Sequence, residues 1–281
     1  MAPFDFAGTT SLVTGASSGL GAEFARQLAA RGSNLVLVAR SGDRLATLAE
    51  GLQAQHRVAV TAVPADLSLA DQVRRVAAHA AATGIDVLVN NAGFGTYGEF
   101  AGLDPGREHA EMMVNVVAAV DLAHAVLPGM LARRRGGIIT VASSIAFQPS
   151  PQQAVYGATK AFALAFSEAL WAETRGSGIR ILALCPGPVA TGYFAGLGDQ
   201  AATTSIIYRH TANPADVVRA GLRGFDHNAM NVIPGLRTRI LAQGHRFLPR
   251  ALLARMAAKM LAPSPAAGRS GNPAGKHGTP T

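Results

Sequence analysis

The sequence predicts an α/β protein with a doubly wound parallel sheet, folded as a single domain. Three observations predict it. Short apolar runs of strand length alternate with longer stretches of helical periodicity over the first 235 residues. The first run ends in a glycine-rich turn that opens into a helix. The polar residues with a chemical use fall just past the ends of the apolar runs, where ligands of an open parallel sheet bind.

Thr10–Thr14 is the first strand, and a helix runs from the following turn to about Arg31. The turn holds Gly15, Ser17, Ser18, Gly19, Leu20 and Gly21, spaced GxxxGxG rather than GxGxxG. A strand, a glycine turn and a helix start make a phosphate cradle, because outward N–H groups and the helix dipole favour an anion. The second strand, Asn34–Ala39, ends at Arg40. An acid here would bond a ribose 2′-hydroxyl, whereas an arginine favours a 2′-phosphate. Arg40 therefore points to NADP over NAD, with a solvated loop arginine as the alternative. Asp43–Gln55 reads as helix and Arg57–Pro64 as the third strand, closed by Asp66 and Leu67. Helix Leu69–Thr83 leads to the fourth strand, Asp86–Val89, which runs into Asn90, Asn91, Ala92 and Gly93.

Beyond an irregular stretch, 94–106, a long helix is expected from Arg107 to Arg135, kinked at Pro128. It carries Asn115 among apolar neighbours, and a buried amide needs partners, whether for packing or for function. Gly137–Ala142 is the fifth strand, with Ser143 at its carboxyl end. The next helix, 154–174, opens with Tyr156-Gly157-Ala158-Thr159-Lys160. Positions i and i+4 share a helix face, so the phenol and the ammonium can enter one space. A nearby cation lowers a phenol from its free pKa of about 10 toward the range of efficient proton transfer. Lys160 is the one lysine among residues 1–226, where every other cation is arginine. The sixth strand, Gly178–Leu184, turns off into Pro186, Gly187, Val189 and Thr191. The Gly-, Ala- and Thr-rich stretch to Ser205 has the composition of a lid. Asn213 and Pro214 cap a further helix, and Met230–Pro234 is a seventh strand.

The chain has 281 residues, 49% hydrophobic and 15% charged, with a net charge of +8. Residues 1–226 carry 17 basic and 17 acidic side chains, and no acid follows Asp226. The positive excess belongs to the C-terminal segment, so no basic stripe crosses the domain and nucleic acid is not expected as a partner. One cysteine, Cys185, excludes an internal disulfide and fits a reducing compartment. With no leading signal pattern and no apolar run of about 20 residues, the expected location is cytoplasmic. No metal ligand set is read. The expected organisation is a binding and catalytic domain over 1–235, a basic, apolar helical segment over 236–261 and a disordered tail over 262–281. The middle segment reads either as a helix packed on the core or a partner subunit, or as an amphipathic contact with an anionic membrane.

TGASSGLG (14–21), NNAG (90–93), Asn115, Ser143, YGATK (156–160) and PGPVAT (186–191) together resemble the short-chain dehydrogenase/reductase family over about residues 8–235. The resemblance implies a Rossmann-type fold and an NADP-dependent oxidoreductase acting on a carbonyl/alcohol pair. By it, Tyr156 exchanges a proton with the reacting oxygen and Ser143 hydrogen-bonds that oxygen. Lys160 binds the nicotinamide ribose and depresses the tyrosine pKa, and Asn115 holds a relay water. Gly15 to Gly21 line the pyrophosphate and adenosine side, Asp66 and Leu67 the adenine, and Asn91 to Gly93 the ribose. Pro186, Gly187, Val189 and Thr191 border the nicotinamide. It also implies a homodimer or homotetramer built on the helices 107–135 and 154–176. The pocket walls, Phe94, Tyr97, Phe147, Pro149, Val189, Tyr193 and Phe194, predict a hydrophobic substrate. A 3-oxoacyl reductase on a carrier or coenzyme, and a non-catalytic NADP-binding scaffold, are the rival expectations.

Overall fold

The computed structural model describes residues 2–190, 211–244 and 248–261. Thr191, Tyr193, Phe194, the stretch to Ser205 and the segment after residue 261 lie outside the described residues. The strands are β1 (Thr10–Thr14), β2 (Asn34–Ala39), β3 (Val60–Pro64), β4 (Val87–Asn90), β5 (Gly136–Val141), β6 (Ile179–Leu184) and β7 (Asn231–Val232). They form one sheet in the order β3-β2-β1-β4-β5-β6-β7, parallel throughout. The order reverses between β1 and β4, so loops diverge there and leave a crevice at the carboxyl ends.

The helices are α1 (Gly19–Ala30), α2 (Gly42–His56), α3 (Ala70–Thr83), α4 (Pro105–Met112), α5 (Ala118–Arg133), α6 (Ala154–Glu173), α7 (Pro214–Asp226), α8 (Leu236–Gly244) and α9 (Arg250–Leu261). Strand residues alternate between two cores, as a two-residue period requires. Val13, Leu35, Leu37, Val89, Ile139 and Leu182 join Phe24, Leu28, Leu222 and Phe225 of α1 and α7. Leu12, Val36, Val38, Leu88, Ile138 and Ile181 join Val76, Leu122, Val126 and Met130 of α3 and α5. Both faces are covered, which is why the strands read as continuous apolar runs.

The long helix departs from its expected form. It begins at Pro105, capped by Asp104, whose carboxylate accepts from the Gly106 and Arg107 N–H groups. It ends at Arg133, and it carries a π turn over Met113–Val117, centred on Asn115, that the sequence reading did not foresee. The proline sits inside α5 without ending it. From Pro105 to Arg133 the run is long and apolar enough to cross a bilayer, against the sequence expectation. Its apolar residues Ala118, Leu122, Val126 and Met130 are instead buried in the second core. The third strand is shorter than expected because Arg57 adopts a left-handed conformation (φ 57°) that closes α2. The Asn213 cap and Pro214 at the start of α7 are as the sequence predicts.

Candidate active site

The β1 turn and the β4 end are stitched together at the topological switch. Thr14 Oγ1 accepts from the Asn91 and Ala92 N–H groups, both at 2.9 Å, and donates to Val89 O at 3.2 Å. Asn91 Nδ2 returns a bond to Thr14 O at 2.8 Å. Gly15 is left-handed (φ 65°), and a Cβ there would lie 2.9 Å from Ala92 Cα. A Cβ at Gly21 would lie 2.2 Å from Gly15 O, so the helix start and the turn touch backbone to backbone. Ser18 precedes α1 without capping it by its side chain, which leaves the first-turn N–H groups for an anion. Ser17 and Gly19 lie on the same turn, and Leu20 packs inward on the core. A cleft of about 640 Å³ opens from Gly19 toward Ala190 and Asn213.

Arg40 is exposed just past β2, within electrostatic reach of Asp66 past β3. Burial raises the Asp66 carboxyl, but bonds from Ser68 N (2.9 Å) and Oγ (2.7 Å) and the Arg40 charge hold it below its ordinary range. Leu67 beside it is buried. A backbone cradle, a free helix start, and a cation and an acid at adjacent strand ends fit a phosphorylated dinucleotide.

At the other half of the crevice, the π turn carries Asn115 inward. Its Nδ2 donates to Phe94 O (2.9 Å) and Thr159 Oγ1 (3.0 Å), and its Oδ1 accepts from Phe94 N (3.2 Å). The amide thus ties the loop after β4 to α6, and both its protons are committed. A Cβ at Gly93 would stand 2.9 Å from Asn115 Oδ1 and 3.4 Å from Lys160 Nζ, so only glycine admits this approach.

Lys160 is buried, and its Nζ donates to Val141 O at the end of β5 (2.8 Å). The same ammonium stands 5.7 Å from the Tyr156 ring centre. Burial lowers its pKa to about 8, against the pull of Glu111 and Cys185. Ser143, two residues beyond Val141, caps a short 3-10 turn (Ser144–Phe147), accepting from Ile145 N at 3.3 Å and donating to Pro186 O at 3.5 Å. That turn packs against α6, the helix that carries Tyr156. Pro186 O also accepts from Ser144 N (2.8 Å), and Val189 pairs with Ala212. A Cβ at Gly187 would lie 3.0 Å from Thr238 Oγ1, so α8 closes over this loop.

Sequence reasoning missed a buried acid pair. Glu108 and Glu111 of α4 face Thr96, whose hydroxyl contacts Glu108 Oε1 and lies 3.2 Å from Glu111 Oε2. Burial, then the Glu108 charge, push Glu111 up to about 7. A hydroxyl has one proton, so two ionised carboxylates cannot both be served by it. The signal was present as two acids three apart, with Glu111 one turn before Asn115. It also missed Arg107, whose guanidinium stands 5.6 Å over the Phe94 ring and sets a cation beside the apolar wall. Tyr97 Oη donates to Leu261 O, which fastens α9 beside the same loop.

The chain is 34% identical over 187 residues to inactive hydroxysteroid dehydrogenase-like protein 1 of Homo sapiens, covering 66% of this chain and 57% of that protein. It is 32% identical over 188 residues to very-long-chain 3-oxoacyl-CoA reductase of Bos taurus, covering 66% and 60%. It thus spans under two thirds of the length of these relatives. Among solved structures, a short-chain dehydrogenase from Sphingobium yanoikuyae in complex with NADPH superposes with a TM-score of 0.77 at 31% identity, covering 96% of this chain and 100% of that one. The bulky-bulky ketone specific alcohol dehydrogenase from Comamonas testosteroni gives 0.72 at 32%, covering 85% and 92%. The family model for short chain dehydrogenase matches residues 9–202, and with this fold and these motifs the chain belongs to the short-chain dehydrogenase/reductase family.

Proposed function

We propose that this protein is an NADP-dependent oxidoreductase that interconverts a carbonyl and a secondary alcohol on a hydrophobic substrate. The observation that carries the reading is the buried Lys160 ammonium, held at the β5 end and facing the Tyr156 ring. The dinucleotide supplies or takes the hydride when bound. The side chains handle the oxygen and its proton. In reduction, Tyr156 Oη gives its proton to the carbonyl oxygen, and Ser143 Oγ hydrogen-bonds that oxygen as charge grows on it. The Lys160 charge stabilises the phenolate left behind and binds the ribose hydroxyls. Oxidation runs the same transfers in reverse. Asn115 serves as the tie that positions α6, because its amide protons are already committed to Phe94 and Thr159. Gly15 to Gly21 hold the pyrophosphate, Arg40 the 2′-phosphate, Asp66 and Leu67 the adenine, and Asn91, Ala92 and Gly93 the ribose. Pro186, Gly187 and Val189 border the nicotinamide.

Phe94, Tyr97 and Phe147 favour large apolar ketones, and the similarity to a bulky-ketone enzyme supports this. The test is NADPH oxidation across ketones of graded size, with Tyr156→Phe as control. Activity on small polar hydroxyketones alone, or unchanged turnover in the variant, overturns the reading. Arg107 over Phe94 favours a second reading, a 3-oxoacyl thioester of an anionic carrier, which would show as acyl-CoA reduction that falls in Arg107→Ala. The protein works as a homodimer or homotetramer through α5 and α6, where Leu131 and Phe162 are exposed, and light scattering of the purified chain tests this. Its place is the cytoplasm, with peripheral membrane contact through 236–261, and fractionation of cells into soluble and membrane-bound pools tests this.

A further inference from the structure

The two C-terminal helices are two-sided. In α9, Leu253, Ala257 and Leu261 recur every four residues and are buried, while Leu252 and Met256, one position away, are exposed. Arg255 and Lys259 recur on the same spacing and are also exposed, so the cations flank the exposed apolar stripe. In α8, Ala242 is buried and Thr238 packs on Gly187, while Leu236 (74% exposed), Ile240 and Leu241 (72%) face outward with Arg237 and Arg239 among them. Leu248 and Arg250, both exposed, stand before and at the start of α9. Among the described residues, packing therefore consumes one face of each helix and leaves a second apolar face uncovered.

We infer that α8 and α9 dock this protein on an anionic lipid surface. The charge pattern selects this occupant. Five exposed cations accompany the apolar residues, and no acid follows Asp226 anywhere in the chain. A second copy is disfavoured, because a two-fold contact would set these cations against their own images without a compensating acid. Long aliphatic side chains flanked by Arg and Lys suit the boundary between acyl chains and anionic headgroups, where the stems lie along apolar surface and the charges reach phosphate.

The docked face adjoins the candidate active site. Thr238 of α8 covers the Pro186–Gly187 loop, and Leu261 of α9 accepts from Tyr97 beside the apolar wall. Gln243 and Arg250 border a cleft of about 320 Å³ with Phe147 and Leu164. Docking would hold the crevice near the bilayer, a direct route for an apolar substrate. The inference concerns binding alone and does not rest on the reaction proposed above.

The test is sedimentation of the full chain with vesicles of phosphatidylcholine, alone or with an equal share of phosphatidylglycerol. Binding to the anionic vesicles is expected to be at least roughly tenfold stronger and to weaken with salt. The triple variant Leu236→Ser, Ile240→Ser, Leu241→Ser and the charge variant Arg237→Glu, Arg239→Glu, Arg255→Glu should each lose it. Both should keep the parent's melting temperature, since every altered side chain is exposed. Absent or salt-insensitive binding overturns the inference. So does a dimer by light scattering that the serine variant dissolves, which would assign the face to a second copy. Anionic vesicle binding unchanged in both variants overturns it too.

Discussion

Lys160 Nζ donates a 2.8 Å hydrogen bond to the carbonyl of Val141, the last residue of β5. A charged side chain from the middle of a helix layer thereby reaches the crevice end of the sheet and is held there. Burial makes this ammonium expensive, and its pKa falls to about 8. The cost is accepted at the place where a cation can act on Tyr156, one turn away.

Replacing Lys160 with Arg should cost at least about a hundredfold in kcat/KM for NADPH-dependent ketone reduction. A guanidinium cannot reproduce a compact donor seated between Val141 O and the Gly93 backbone. Stopped-flow loss of NADPH absorbance measures it, and near-normal turnover would remove Lys160 from the site.

Glu111 makes stability depend on pH. An ordinary glutamate titrates at about 4.5, and in the fold this one is pushed up to about 7, first by burial and then by Glu108. Between those values the folded protein keeps a proton that the unfolded chain has released, so stability falls as pH rises through the window. The contribution is complete below the lower value and lost above the higher. Thr96, Glu108 and Lys160 are the groups facing it. Glu111→Gln should flatten this slope, so that thermal melts favour the variant increasingly from about pH 5 to about pH 8. Parallel curves would mean that the carboxyl titrates normally.

Arg40→Asp should raise the KM for NADPH at least roughly tenfold, a loss of about 1.4 kcal/mol, with little change for NADH. Initial rates with the two cofactors decide. Equal KM values before and after would mean that Arg40 serves only Asp66 and solvent.

Gly21→Ala places a methyl 2.2 Å from the Gly15 carbonyl oxygen. The backbone must shift, at a cost of about 1–3 kcal/mol, and the cradle shifts with it. Urea melts should report the loss, and NADPH fluorescence titration should show weaker binding in the protein that remains folded. Gly51, whose added Cβ meets nothing, supplies the control variant Gly51→Ala.

Asn115→Ala leaves the Phe94 N–H and C=O and the Thr159 hydroxyl short of partners. The expected cost is about 1–3 kcal/mol per group left buried and unpaired. A drop in melting temperature together with a fall in kcat is expected. A fall in kcat at unchanged stability would instead favour a relay role over a tie.

The sheet was legible because a parallel strand covered on both faces must be apolar at every position, as in Leu35, Val36, Leu37 and Val38. The glycine turn was legible because a backbone-to-backbone approach admits few other residues. The alternation of strands with helices implied a parallel sheet, but the order β3-β2-β1-β4-β5-β6-β7 was not read from it, because more than one doubly wound order satisfies the same alternation. The π turn at Asn115 was not legible, because no proline or glycine marks it; there the amide gains three bonds by reaching Phe94 and Thr159.

The sequence by itself determined the fold class, from the alternation of apolar runs with helical periodicity, and the glycine turn and the one-face spacing of Tyr156 and Lys160, each of which is set within a single turn. The three-dimensional fold alone decided that Glu108 and Glu111 share the Thr96 hydroxyl, that Arg107 stands over Phe94, and that the C-terminal helices close over Gly187 and Tyr97. These contacts join residues up to 164 positions apart. No local period encodes them, because they exist only once the sheet has brought its carboxyl ends together.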